Sequence, residues 1–354
     1  MRVNGDMVTL AREYRGLSQE DLAAAIGLNQ PHVARIEAGM RPEIDDEVGQ
    51  RMSACLCFPQ EFFGQQEVLL GFGSSAYFYR KKATIPAADR KRVHSRVNFL
   101  RIALKQILPH VELEPSRGLP QWSIENYGYS AANAARALRA HWHLPDGPIK
   151  SLTALVEAAG AIVIPCDFGS SIDATSLRLA DMPPLVFMNV NVPGDRWRFT
   201  LAHELAHLVL HREPHDQMEQ EADEFAGELL VPKDEVAPQL ARLPRPQLRD
   251  FIALKRYWKV SIQALIFRAF EAGSINESQK KSLFVRMSQL NMRMTEPEPI
   301  DREEPANFSR VLSTLQTALR FTSDEMAQLV RWNTAELHKL LPIRAEPVRR
   351  LRAV

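Results

Sequence analysis

In the stretch AHELAHLVLH (202–211), two histidines stand four residues apart, with a glutamate directly after the first. Positions i and i+4 project from one face of an α-helix, so the imidazoles of His203 and His207 can share one metal ion. Glu204 is rotated about 100° further round the helix, away from the ion but within reach of a water on it. Zn2+ lowers the pKa of such a water to about 7, and a neighbouring carboxylate can take its proton as it attacks a carbonyl. HExxH also recurs by chance on buried helices, so a third ligand decides the matter. His211, one more turn along, is expected behind the ligands or facing substrate, unless an apolar helix simply accommodates it.

Downstream, EQEADEFAGELLVP (219–232) reads as a second helix stopped by Pro232, with Ala222, Phe225, Ala226, Leu229 and Leu230 as its apolar face. Glu219 falls about 60–70° from the centre of that face and Glu221 about 90–100°. Asp223 lies one turn beyond Glu219. A carboxylate followed four residues later by an aspartate is similar to the ExxxD arrangement of gluzincins, where the aspartate holds a ligand histidine from behind. Glu219 is therefore the expected third ligand and Asp223 the orienting residue, with Glu221 as the alternative ligand. His215 and Tyr257 are available to stabilise an oxyanion, and nothing selects between them.

These residues need a frame. SLTALVEAAG reads as a helix ending at Gly160, AIVIPCDF as a buried strand, ATSLRLA as a half-exposed strand and PLVFMNV as a third, after which WRFTLAHELAHLVLH returns to helical spacing. That order sets the histidines just after a sheet, where a substrate strand can add to the edge. Lys255, Trp258 and Lys259 read as helix-face and packing residues.

The N-terminal segment MVTLAREYRGLSQEDLAAAIGLNQPHVARIEAG (7–39) gives three short helices: one stopped by Gly16, one capped by Ser18 and ended by Gly27, and one capped by Asn29. Val33 and Ile36 would pack inward while Gln30, Pro31, His32 and Arg35 face out. Val48, Met52, Leu56, Phe58, Phe62 and Phe63 look like closing helices of the same bundle. Residues 1–41 carry five basic and five acidic side chains, and residues 42–66 one against five, so this segment lacks a marked positive excess. Residues 76–117, from Arg80, Lys81 and Lys82 to Arg117, carry ten basic against three acidic; a solvated helix face is the usual meaning, a phosphate-contacting flank the alternative.

LSQEDLA…IGLNQ…V..IE.G resembles the phage-repressor-like helix-turn-helix family of the XRE class. The resemblance implies that Gln19 touches DNA and that Gln30, His32 and Arg35 enter the major groove. RFTLAHELAHLVLH and EQEADEFAGELLVP resemble the ImmA/IrrE family of zinc metallopeptidases, over residues 149–240 and again over 254–276. That resemblance implies a zinc endopeptidase of the gluzincin type, whose best-understood members cleave a repressor.

The remainder bounds the reading. A chain of 354 residues has room for two or three domains. No apolar run is long enough to span a membrane and no signal peptide is readable. Cys55, Cys57 and Cys166 form no CxxC pair, which suits a reduced, cytoplasmic setting. The fold class expected is α+β, mostly helical. Its parts are a five-helix helix-turn-helix bundle (1–66), a helical connector (67–130) with a hinge at 64–75 and an amphipathic helix about 87–108, a zincin-like core of helix, three strands and helix with a helical extension (131–293), and a small C-terminal helical module (294–354). The module follows a Pro- and Glu-rich linker and ends in a fraying basic tail (Arg344, Arg349, Arg350, Arg352). The function expected is a homodimeric regulator on a double-stranded DNA operator, coupled to a Zn2+ peptidase that cuts a repressor or antitoxin-like protein. The alternatives are a peptidase-like domain that senses a ligand, metal or partner without cleaving, and an antitoxin-like binding protein.

Overall fold

The structure, a computed structural model, describes residues 1–70, 86–169, 172–243, 245–293 and 295–343. They form two compact units, one of residues 1–70, 86–113 and 307–343, the other of residues 114–306. Numbered along the chain, the first unit holds α1 (Gly5–Tyr14), α2 (Gln19–Ile26), α3 (Gln30–Glu37), α4 (Asp46–Leu56), α5 (Gln60–Phe63), α6 (Ala87–Ile107), α15 (Asn307–Thr317), α16 (Ser323–Val330) and α17 (Thr334–Leu340). The described residues are mostly helical with one small sheet, the α+β class expected.

Local chemistry sets the helix boundaries. The Ser18 hydroxyl accepts from the Asp21 N–H while the Asp21 carboxylate accepts from the Ser18 N–H, a reciprocal cap on α2. Gly27 ends α2 in the left-handed region at φ 72°, and the Asn29 side chain caps α3. Met7, Leu10, Ala11, Leu22, Ile26, Val33 and Ile36 are all buried. Inside this bundle Arg12 grips Glu37 with two hydrogen bonds, at 2.6 and 2.9 Å.

Packing divides the chain differently from the four parts expected. The helix read as a connector, α6, is central to the first unit. Besides Val93, Val97, Leu100 and Leu104 it buries Phe99, Ile102, Ala103, Asn98 and Arg101, so it is covered on more than one face. Its last buried apolar residue is Ile107, and Leu108 begins a short 3-10 turn. The Phe99 ring stacks on Phe58 at 5.0 Å and Phe62 at 5.5 Å, and meets Tyr14 at 4.8 Å. Part of the basic run is used internally, with Arg101 and Lys105 on Glu67 and Lys91 on Glu13.

The C-terminal helices belong to this unit too. Trp332 meets Phe99 edge-on at 5.7 Å, and Glu336 accepts from the Tyr14 hydroxyl at 2.9 Å and from Arg15 at 2.7 Å. The capping box expected at Thr322 and Glu325 opens α16. Arg80, Lys81, Lys82, the 71–75 part of the hinge and the four terminal arginines lie outside the described residues.

The second unit contains α7 (Ala131–His141), α8 (Leu152–Ala158), β1 (Ile162–Cys166), β2 (Ala174–Leu177), β3 (Leu185–Asn189), α9 (Gly194–Leu210), α10 (Met218–Leu230), α11 (Lys233–Ala241), α12 (Leu248–Trp258), α13 (Ile262–Glu271) and α14 (Glu277–Gln289). The sheet order is β1-β3-β2, with β1 parallel and β2 antiparallel to β3. β2 is therefore an edge strand among the described residues. All four of its residues are buried, against the half-exposed strand expected, because α9 packs on it and its polar Ser176 finds a buried partner.

The Pro- and Glu-rich stretch read as a linker is instead strapped onto this unit by its acids. Lys255, 1% exposed, donates to Asp195 at the start of α9 (2.5 Å) and to Glu296 (2.8 Å). Glu303 pairs with the buried Arg198 and accepts from the backbone N–H groups of Leu152 and Thr153 at the start of α8. The strap crosses α9 so closely that a Cβ on Gly194 would stand 2.2 Å from the Ile300 carbonyl oxygen.

Candidate metal centre

The helix α9 buries Trp197, Leu201, Ala202, Leu205, Ala206 and Val209, which fixes the rotation of the face between them. On that face His203 and His207 stand one turn apart with their Nε2 atoms 3.0 Å from each other. The next helix, α10, buries Ala222, Phe225, Ala226, Leu229 and Leu230, and so delivers Glu219 to the same point. Its carboxylate lies 3.3 Å from His203 Nε2 and 3.5 Å from His207 Nε2. Asp223 takes the other nitrogen of His203, with Oδ1 2.8 Å from Nδ1.

These donors fit a zinc ion. Zinc bonds of about 2.0–2.1 Å in tetrahedral geometry put neighbouring ligand atoms about 3.3–3.4 Å apart, close to the separations found. Glu219 Oε1 is buried without a hydrogen-bond partner among the described residues, an arrangement that costs energy unless a cation satisfies it. Burial by itself lowers the His203 pKa, but Asp223, Glu219 and the charge of Glu204 overcome it and raise it to about 10. An imidazole set among three carboxylates marks a pocket of negative potential that favours a divalent cation. His207, desolvated and crowded by the imidazoles of His203, His211 and His215, is held well below the ordinary histidine range, in the neutral form that ligates.

Glu204 points from α9 toward the sheet. It is buried, and its Oε2 accepts from the Ser176 hydroxyl of β2 at 2.6 Å. Burial pushes its carboxyl above the ordinary range, against the pull of His203 and Ser176. Residue types and spacing could not have found Ser176, which lies 28 residues before its partner and meets it only through packing. Nor did they single out Arg178, two residues further on. Its Nε and Nη2 are buried without a hydrogen-bond partner among the described residues, and burial beside Arg212 lowers its pKa.

The remaining candidates sit elsewhere. Glu221, the alternative third ligand, faces away from His203 and contacts His211 (3.0 Å) and His215 (3.7 Å). His211 Nδ1 lies 2.8 Å from His207 Nδ1, behind the ligand set. Tyr257 is half exposed against Trp258.

In the first unit, Gln30 Nε2 donates to Gln19 Oε1 and Gln19 Nε2 donates to Glu37 Oε2, both at 2.7 Å. The two glutamines are thus linked through Glu37 to Arg12 and held at the start of α2 and α3. Arg35 is exposed on α3, and His32 is half buried with Nδ1 lacking a hydrogen-bond partner among the described residues.

A capped helix-turn-helix bundle, with a separate α+β unit carrying a His–His–Glu cluster beside a buried glutamate, describes a DNA-binding regulator joined to a peptidase-like domain. Comparison with known families gives the same two parts: residues 156–270 match the peptidase family described as the IrrE N-terminal-like domain, and residues 10–56 match a helix-turn-helix family. Peptidases of the first kind are generally metal-dependent. No curated protein matches the chain. Among the described residues, no helix is long and apolar enough to cross a membrane.

Proposed function

We propose that the chain is an operator-binding regulator, dimeric on double-stranded DNA and cytoplasmic, whose second unit is a zinc-dependent endopeptidase acting on a partner repressor or antitoxin-like regulator. The observation that carries the reading is the convergence at one point of His203, His207 and a Glu219 oxygen that has no hydrogen-bond partner among the described residues, with Glu204 held apart on Ser176. His203, His207 and Glu219 would hold zinc. The ion supplies Lewis acidity, which acidifies water and polarises a carbonyl.

The protein's own groups do the rest. Asp223 holds the Nδ1–H of His203 and so keeps its Nε2 free to ligate. Glu204 is too far round the helix to be a ligand; its buried carboxylate takes a proton from the attacking water and returns it to the leaving amine. Ser176 fixes one Glu204 oxygen and leaves the other for that transfer. The edge strand β2 supports the binding of substrate as an added strand, in register beside the glutamate that Ser176 holds. Gln19, Gln30, His32 and Arg35 would meet DNA, the first two pre-positioned by their mutual hydrogen bond.

Co-expression of the chain with the products of adjacent genes tests the reading. Cleavage of one product by the wild type, lost in Glu204→Gln, is expected. Normal regulation of target genes by Glu204→Gln would favour the non-cleaving sensor.

A further inference from the structure

The histidines do not stop at the first cluster. His203, His207, His211 and His215 recur every fourth residue, and beyond the first pair the chain builds a second constellation. His211, His215 and Glu221 each offer one ligand atom, all within 4.8 Å of one another. The His211 side chain is only 1% exposed and aims Nε2 at Glu221 Oε2, 3.0 Å away, while His215 Nε2 lies 3.7 Å from the same oxygen. The His215 side chain is 43% exposed, which leaves one side of the cluster open to solvent.

We propose that His211, His215 and Glu221 form a second site for a divalent transition ion of the zinc class, next to the first and joined to it through the His207–His211 contact. Two imidazoles and one carboxylate select zinc-like ions over magnesium or calcium, which prefer all-oxygen shells. Three protein donors with an open side leave the fourth position to solvent.

The geometry ranks the two sites. The Nδ1 atoms of His207 and His211 lie 2.8 Å apart, so the sites are neighbours. The first gathers its donors within 3.0–3.5 Å of one another on two packed helices, whereas the second depends on the 43% exposed His215, whose Nε2 stands 3.7 Å from Glu221 and must be ordered to ligate. The second ion is therefore the weaker one.

Zinc alone is the probe. The full-length chain, stripped with a chelator, is titrated at buffered free zinc, and bound ions are counted by native mass spectrometry. The wild type takes two ions, the second at least tenfold more weakly. His215→Ala, a change at a half-exposed side chain, takes one ion with unchanged tight affinity, and so does Glu221→Gln. Glu219→Gln loses the tight ion instead, which separates a failure of the first site from a failure of the second. A wild type that saturates at one ion, or a His215→Ala chain that still takes two, overturns the proposal.

Discussion

At the residue scale, the centre is a set of orientations imposed on imidazoles. His203 can ligate through Nε2 only while Asp223 keeps the proton on Nδ1. Asp223→Asn is expected to weaken zinc binding about 10–100-fold, as loss of such a partner usually does; competition with a coloured chelator measures it, and an unchanged affinity would remove Asp223 from the account. Lys255 acts on structure. Replacing it with Met leaves Asp195 and Glu296 facing each other without the buried ammonium, at a cost of about 3–5 kcal/mol. Burial lowers its pKa but the two carboxylates raise it above the ordinary value. Its contribution is thus fully present below the unfolded-state pKa near 10.5 and is lost as pH rises through the folded value. Urea midpoints of wild type and Lys255→Met should differ by a constant amount at neutral pH and converge only in strong alkali. His203 and His207 stood out in the sequence because helical spacing alone puts them on one face with Glu204 beside them. Glu219 stood out because its own helix carries Asp223 one turn later, though only packing brings the two helices together. Ser176 and the acids around Lys255 did not, since their partners lie 28 to 60 residues away and meet only through the fold.

At the element scale, each functional helix is set by a neighbour it touches closely. α9 carries both histidines, and the strap over its first turn leaves no space for a side chain at Gly194. Gly194→Ala should force the strap outward, destabilise the second unit by about 1–3 kcal/mol, and expose residues 295–306 to limited proteolysis; an unchanged cleavage pattern and melting temperature would show that the strap yields without consequence. Elements were legible where caps and periodicity agreed: Ser18, Gly27, Asn29 and Thr322 all mark real ends. The character of α6 and β2 was not. An apolar stripe shows one buried face, whereas Phe99 and Ile102 read as ordinary scatter until a second layer covers them. Ser176 read as exposed because a strand serine usually meets water, whereas here its hydroxyl is satisfied by a buried carboxylate.

At the scale of the whole molecule, sequence order and packing part company. The C-terminal helices pack with the N-terminal bundle, on the far side of the peptidase-like unit in sequence, through Trp332, Glu336 and Asn333. Nothing local in those helices signals a partner some three hundred residues earlier. Trp332→Ala should lower the stability of the first unit by about 3–5 kcal/mol, although the residue is outside the set proposed to meet DNA. Hydrogen exchange in α1 and α6 should rise together with a loss of operator affinity at fixed salt; protection unchanged in both helices would contradict this packing.

The central claim is that the second unit cuts peptide bonds with zinc and Glu204. Purified wild type and Glu204→Gln, each loaded with zinc and checked for metal content, can be incubated with a proteome-derived peptide library and the new termini read by mass spectrometry. New termini that appear only with the wild type and vanish on chelation, from two chains carrying equal zinc, are the predicted result. Identical termini profiles from the two chains would contradict it.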